Sequence, residues 1–276
     1  MPALEEVGVS IAPPEISGIY SEISHLSGIP LPALIWRHLA TYSGVLPEVW
    51  SALRPIYVAG LAQDAAWQTV AATLAGIAAG PDRRALEAAG LGSDVIEAYD
   101  RVLQSYNRAN PVNFIGVRLL LVQMSDGQSN RQPRVDTPKE WVPPSPITNL
   151  PPMVPVSDIP PRMRGLIDGL GVAPNIDRSQ VVPSLYRHLV PWPVLLQLIS
   201  DELSPRLASG DIARLVRTVS TALEAEVARL ADRVGPLPAL SRVPAVRDVL
   251  ESFSGLIPEM VVIGALLRNG LGHDRS

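Results

Sequence analysis

The chain has 276 residues, 47% of them hydrophobic and 18% charged, enough to bury a sizeable core without a disulfide or zinc staple. Its 23 basic and 27 acidic side chains give a net charge of −4, which excludes the basic field that nucleic-acid binding requires. Cysteine is absent, so thiol catalysis, disulfides and thiolate metal sites are excluded together.

The opening MPALEEVGVSIAPP has no basic stretch followed by an apolar run, so no secretory signal is expected. The apolar run MVVIGALL (260–267) is too short to span a bilayer, and a cytoplasmic protein with no membrane or nucleic-acid partner is the expectation. Apolar residues recur at three and four rather than two, which predicts an all-α fold. In the first half a short leading helix precedes one that carries Arg37, His38 and Leu39. At least one long helix follows within 46–79, and then helices over 81–89, 94–106 and 111–124. In the second half, 211–234 is amphipathic, with Leu215, Val219, Leu223, Val227 and Leu230 on one face and a solvated charged face opposite. Pro111 and Pro258 suit the first turn of a helix, which places Asn110 at one N-cap and Ile257 at the equivalent place of another.

Between these halves, 125–161 carries ten prolines and no helical period, and it reads as an extended connector. Its Trp141, Ile147, Leu150, Met153 and Val154 are too apolar for a free linker and predict that it lies against the body. The flanking segments resemble each other. VLQSYNRANP (102–111) aligns with VLESFSGLIP (249–258) at an offset of 147, as do Gly18-Ile19 and Gly165-Leu166. The Arg-His-Leu triplets at 37–39 and 187–189 recur at 150. Three ordered matches at near-constant spacing predict an internal duplication: a helical repeat over 1–125, the Pro-rich linker over 126–161 and a second repeat over 162–276.

Four histidines occur, His25, His38, His188 and His273, the last in the terminal GHDRS. His38 and His188 are partners in the repeat, and if the halves pack about a twofold axis both converge on a central pocket. The competing reading is two packing histidines with one hydrogen bond each. No HExxH, GxSxG, GxGxxG or P-loop pattern is present, so zinc peptidase, α/β-hydrolase and nucleotide-binding readings lack support.

PLPALIWRHLATYSGVLPEVW (30–50), VLQSYNRANPVNF (102–114) and SLYRHLVPWPVLLQLISDEL (184–203) together resemble the group I DL-2-haloacid dehalogenases. The matched residues include Arg37, Leu39, Ala40, Thr41, Gly44, Leu46, Pro47, Val102, Leu103, Asn110, Pro111, Ser184, Leu189, Trp192 and Pro193. The resemblance implies an all-helical, cofactor-free homodimer of two homologous halves with the active site between them. Members displace halide from C2 of a short 2-halo acid by direct attack of water held by an Asp and an Asn. It makes Asn110 the water-positioning Asn and Ser184 the residue that precedes the catalytic Asp in the carboxylate pocket. Leu185 stands where that Asp belongs, and a leucine takes no proton. Leu31 and Leu34 replace aromatic residues of the family.

His188, three residues after Leu185, shares its helical face and has a proton affinity suited to base chemistry. Asp177, behind Pro183, suits a cap or loop, and Glu259 suits a helix N-terminus. A more distant similarity runs to the carboxymuconolactone decarboxylase and alkyl hydroperoxidase D folds, whose thiol branch the lack of cysteine excludes. The expected site therefore combines Asn110 and His188 as catalytic groups with Ser184, Leu185, Leu31, Leu34 and His38 around the substrate, and no metal. Two function classes stand: a hydrolase or lyase of altered chemistry on a small, largely apolar organic acid, and a non-catalytic binding or structural protein on the same scaffold.

Overall fold

The computed structural model describes residues 5–125, 141–171, 182–235, 237 and 244–272, and among them it has eleven α-helices and no strand. In the first half these are α1 (Pro14–Ser27), α2 (Leu34–Leu39), α3 (Val45–Val58), α4 (Leu61–Thr73), α5 (Arg83–Ala88) and α6 (Ser93–Ser125). The second half has α7 (Pro161–Gly169), α8 (Ser184–Leu189), α9 (Pro193–Ala208), α10 (Asp211–Leu230) and α11 (Pro244–Gly270). The fold is all-α, as the spacing of apolar residues predicts. The long helices α6 and α11 pack most extensively on each other, and α10 covers α4, α6, α9 and α11.

The two prolines break the expected boundaries. Pro111 and Pro258 do not start helices but lie inside α6 and α11. Each costs about 3 kcal/mol for the lost donor and ring clash. Burial on both sides outweighs that: Val102 and Leu103 precede Pro111, and Val112, Phe114 and Ile115 follow it, all at most 1% exposed, each stabilising by roughly 1.5–3 kcal/mol. Asn110 is therefore a mid-helix residue without an N-cap role, and Glu259 likewise sits inside α11 rather than at a helix start. The expected long helix over 46–79 divides at Gly60, whose left-handed backbone (φ 71°) separates α3 from α4.

α11 is the one described helix long and apolar enough to cross a membrane. Over half of its apolar window is buried against the rest of the protein, which suits a core helix.

Residues 141–155 run over the helices without regular structure. Trp141 lies on Gly60, where a Cβ would come within 2.2 Å of the indole. Arg108 of α6 donates through Nη1 to the carbonyls of Gly28 (3.0 Å) and Ser145 (2.7 Å), and the Ile147 amide also reaches Gly28 O (3.0 Å). The earlier part of the connector, 126–140, lies outside the described residues.

The chain enters α1 and α7 in the same way. Val7 N donates to Arg37 O (3.0 Å) and Val154 N to Arg187 O (3.2 Å). Nδ1 of His38 meets Glu5 O at 2.6 Å, and Nδ1 of His188 meets Pro151 O at 2.7 Å. A 3₁₀ turn follows in each case, at Val9–Ile11 and Val156–Asp158, and then a helix begun by proline.

Candidate ligand cavity

A cavity of about 360 Å³ opens where α2, α6, α8 and α11 meet under the irregular 149–153 segment. α6 lines it with Ser105, Tyr106, Asn110 and Asn113, residues that share one face at helical spacing. The equivalent face of α11 contributes Phe253, Leu256, Ile257 and Met260. α2 and the residues before it add Leu31, Leu34, Ile35 and Arg37, and α8 adds Ser184, Leu185 and His188. Asn149, Leu150 and Met153 close the remaining side. Asn149 holds a left-handed backbone (φ 58°), a conformation asparagine tolerates better than most residues.

Polar groups of the cavity are oriented from behind. Trp36 Nε1 donates to Asn113 Oδ1 at 2.8 Å, fixing the Asn113 amide. Arg37 is 6% exposed and pairs through Nη1 with Glu6 Oε2 at 2.9 Å, while its Nε has no partner among the described residues. Asn110 lines the cavity, and its Nδ2, itself buried, also has no hydrogen-bond partner among the described residues. Tyr106 and Ser184 share a side-chain hydrogen bond; burial raises the phenol's proton affinity, opposed by that bond and by the charges of Arg37 and Arg187.

Among the described residues His188 is the titratable base at this wall. A carbonyl only accepts, so Nδ1 carries the proton toward Pro151 and Nε2 is the unprotonated nitrogen. Burial lowers the His188 pKa from 6.5, outweighing the opposing Pro151 hydrogen bond, and the neighbouring Arg187 lowers it further. The imidazole is thus neutral at pH 7, the state a general base needs. Its ring lies 5.8 Å from that of Tyr106, centroid to centroid. Among the described residues no Asp or Glu lines the cavity.

Of the residues singled out from the sequence, Asn110, His188, Ser184, Leu185, Leu31 and Leu34 come together here. His38 does not: it packs edge-on against Tyr42 (5.5 Å) and stays outside the lining. His25 is exposed near the end of α1, and Asp177 and His273 lie outside the described residues. Sequence reasoning missed Arg37 as a wall residue, Tyr106, and the 149–153 segment. Tyr106 was visible as the partner of Phe253 in the repeat, whereas Asn149 had no sequence signal beyond proline-rich surroundings.

No family model matches the chain. A configuration-inverting 2-haloacid dehalogenase of Alcaligenes xylosoxydans xylosoxydans is 26% identical over 207 residues, covering 73% of this chain and 67% of that protein. This chain is a divergent homologue of the 2-haloacid dehalogenases. Solved structures agree in fold: a D-2-haloacid dehalogenase mutant with D-2-CPA superposes with a TM-score of 0.69 at 15% identity, covering 96% of each chain. The D-2-haloacid dehalogenase complex with L-LA gives 0.68 at 15% identity and the same coverage. In this dehalogenase homologue, Leu185 is 1% exposed and forms part of both the core and the cavity wall.

Proposed function

We propose that this dehalogenase homologue takes a small, largely apolar organic acid into the cavity and acts on it without a cofactor, as a hydrolase or lyase whose chemistry departs from halide displacement. His188 is the base, Asn110 positions water or the reacting group, and Ser184 with Leu185, Leu31 and Leu34 contacts the substrate. The observation that carries this reading is one wall with a neutral imidazole beside Asn110 and, among the described residues, no carboxylate. A base at His188 takes over the proton that Leu185 has no means of accepting. The matching tethers of α2 and α8 support two duplicated halves about the cavity, assembled as a homodimer by the family resemblance. His38 is left to that tether and has no part in contacting substrate.

A non-catalytic binder is the second reading, favoured by Leu185 itself. Turnover of a panel of small carboxylic acids by the wild type and His188→Asn separates the two. Turnover that vanishes in His188→Asn while binding persists supports the enzyme. Binding without turnover across the panel supports the binder, and efficient chloride release from 2-chloropropionate by both proteins overturns the assignment of the base.

A further inference from the structure

The two long helices present equivalent positions to the cavity with opposite chemistry. Where α6 offers Tyr106, Asn110 and Asn113, α11 offers Phe253, Ile257 and Met260, at a constant separation of 147 residues. One wall is therefore amide and hydroxyl, and the facing wall is hydrocarbon. Two guanidiniums stand at the polar wall: Arg37, paired with Glu6, and Arg187, which donates to Val154 O and also feels the Glu6 charge. A carboxylate beside Asn110 shares its wall with the Arg37 guanidinium, which lines the same cavity.

Volume sets the other limit. At ~30 Å³ for each water-sized group, 360 Å³ holds about a dozen such groups. A three-carbon 2-halo acid has roughly half that number of non-hydrogen atoms and leaves the hydrocarbon wall facing water.

Building on the small-acid reading above, we infer that the ligand is a monocarboxylic acid with an apolar tail of about six to ten carbons, its carboxylate at Asn110 and its tail along α11. The tail follows Phe253, Ile257 and Met260 toward Leu31, which is 37% exposed at the rim.

Calorimetric titration of the full chain with propionate, hexanoate, octanoate, decanoate and the uncharged octanamide tests this. Affinity is expected to rise about fourfold per added methylene and to level off near ten carbons, with octanoate at least tenfold tighter than octanamide. Leu31→Trp, a rim substitution, should weaken octanoate about tenfold and propionate markedly less. Propionate binding as tightly as octanoate overturns the tail assignment and leaves the small-acid reading standing. Octanamide equal to octanoate overturns the carboxylate assignment and that reading with it. No binding by any acid overturns both.

Discussion

α2 and α8 share Arg-His-Leu and the same backbone tethers, yet they turn different side chains toward the cavity. From α2 the cavity receives Leu34, Ile35 and Arg37; from α8 it receives Ser184, Leu185 and His188. The first two positions correspond, and then the register parts by one residue. His38 and His188 both hold a carbonyl of the segment that enters their half, so the tether explains why a histidine stands at each place. Only at His188 does the ring also border the cavity. The same helix fragment thus yields a cation from one side and a base from the other.

The largest expected effect breaks this pairing at the chemistry. His188→Asn should lower kcat on any acid the protein turns over by about 10²–10⁴-fold, the usual contribution of a general base. His38→Asn should leave kcat within a factor of about two, because His38 is outside the cavity. Steady-state rates of the two variants on one substrate check it, and equal losses would return both histidines to a structural role.

Leu185→Asp sharpens the contrast with its counterpart Ile35, since both are 1% exposed. A carboxyl at 185 is expected to have a raised pKa and to cost about 2–4 kcal/mol in urea unfolding when forced to ionise. It should also give weak chloride release from 2-chloropropionate that disappears when Asn110→Ala is added. Ile35→Asp should cost similar stability and release none. A folded Leu185→Asp chain inert at every pH would mean that the cavity no longer shapes water for a halo acid.

Removing the tethers should act alike on both sides. His38→Phe and His188→Phe each remove a part-buried hydrogen bond to a carbonyl and should each cost about 0.5–1.5 kcal/mol. Chemical denaturation reads both, and a large inequality would show that the two segments are held differently.

The smallest effect is on pH dependence. The folded His188 pKa lies below its ordinary 6.5, so above that pH folded and unfolded chains carry the same proton count there. Below it the unfolded chain binds a proton that the folded chain resists, and stability falls until the folded pKa is passed. This loss should be absent in His188→Phe and retained in His38→Phe, as thermal unfolding across pH 5–7.5 would show.

Helix type and the paired Arg-His-Leu segments were legible because both depend on local periodicity and on capping turns. The cavity was partly legible: Asn110, Ser184, Leu185 and His188 meet as expected, carried by the resemblance. Pro111 and Pro258 misled because a local rule about the missing N–H competes with burial spread along the whole of α6 and α11, and burial prevailed. His38 misled because equivalent sequence sets a helix's place but not the rotation that chooses between residues 37 and 38. That the connector lies on the body was legible from Leu150 and Met153, but not that 149–153 walls the cavity, since irregular backbone has no period to read.

The pairing of α6 with α11 also governs how slowly the molecule assembles. Asn107 Nδ2 of α6 donates to Gly264 O of α11 across 157 residues of chain. Helical proteins ordinarily fold fast because their contacts are local, and here the central contact is not. Closing so large a loop is entropically costly before any of its contacts form. During synthesis the stripe of α6 that packs on α11 must therefore wait until α11 has emerged. Temporary shielding of that stripe, by local collapse of the first half or by a chaperone, is a requirement the native contacts impose on the nascent chain.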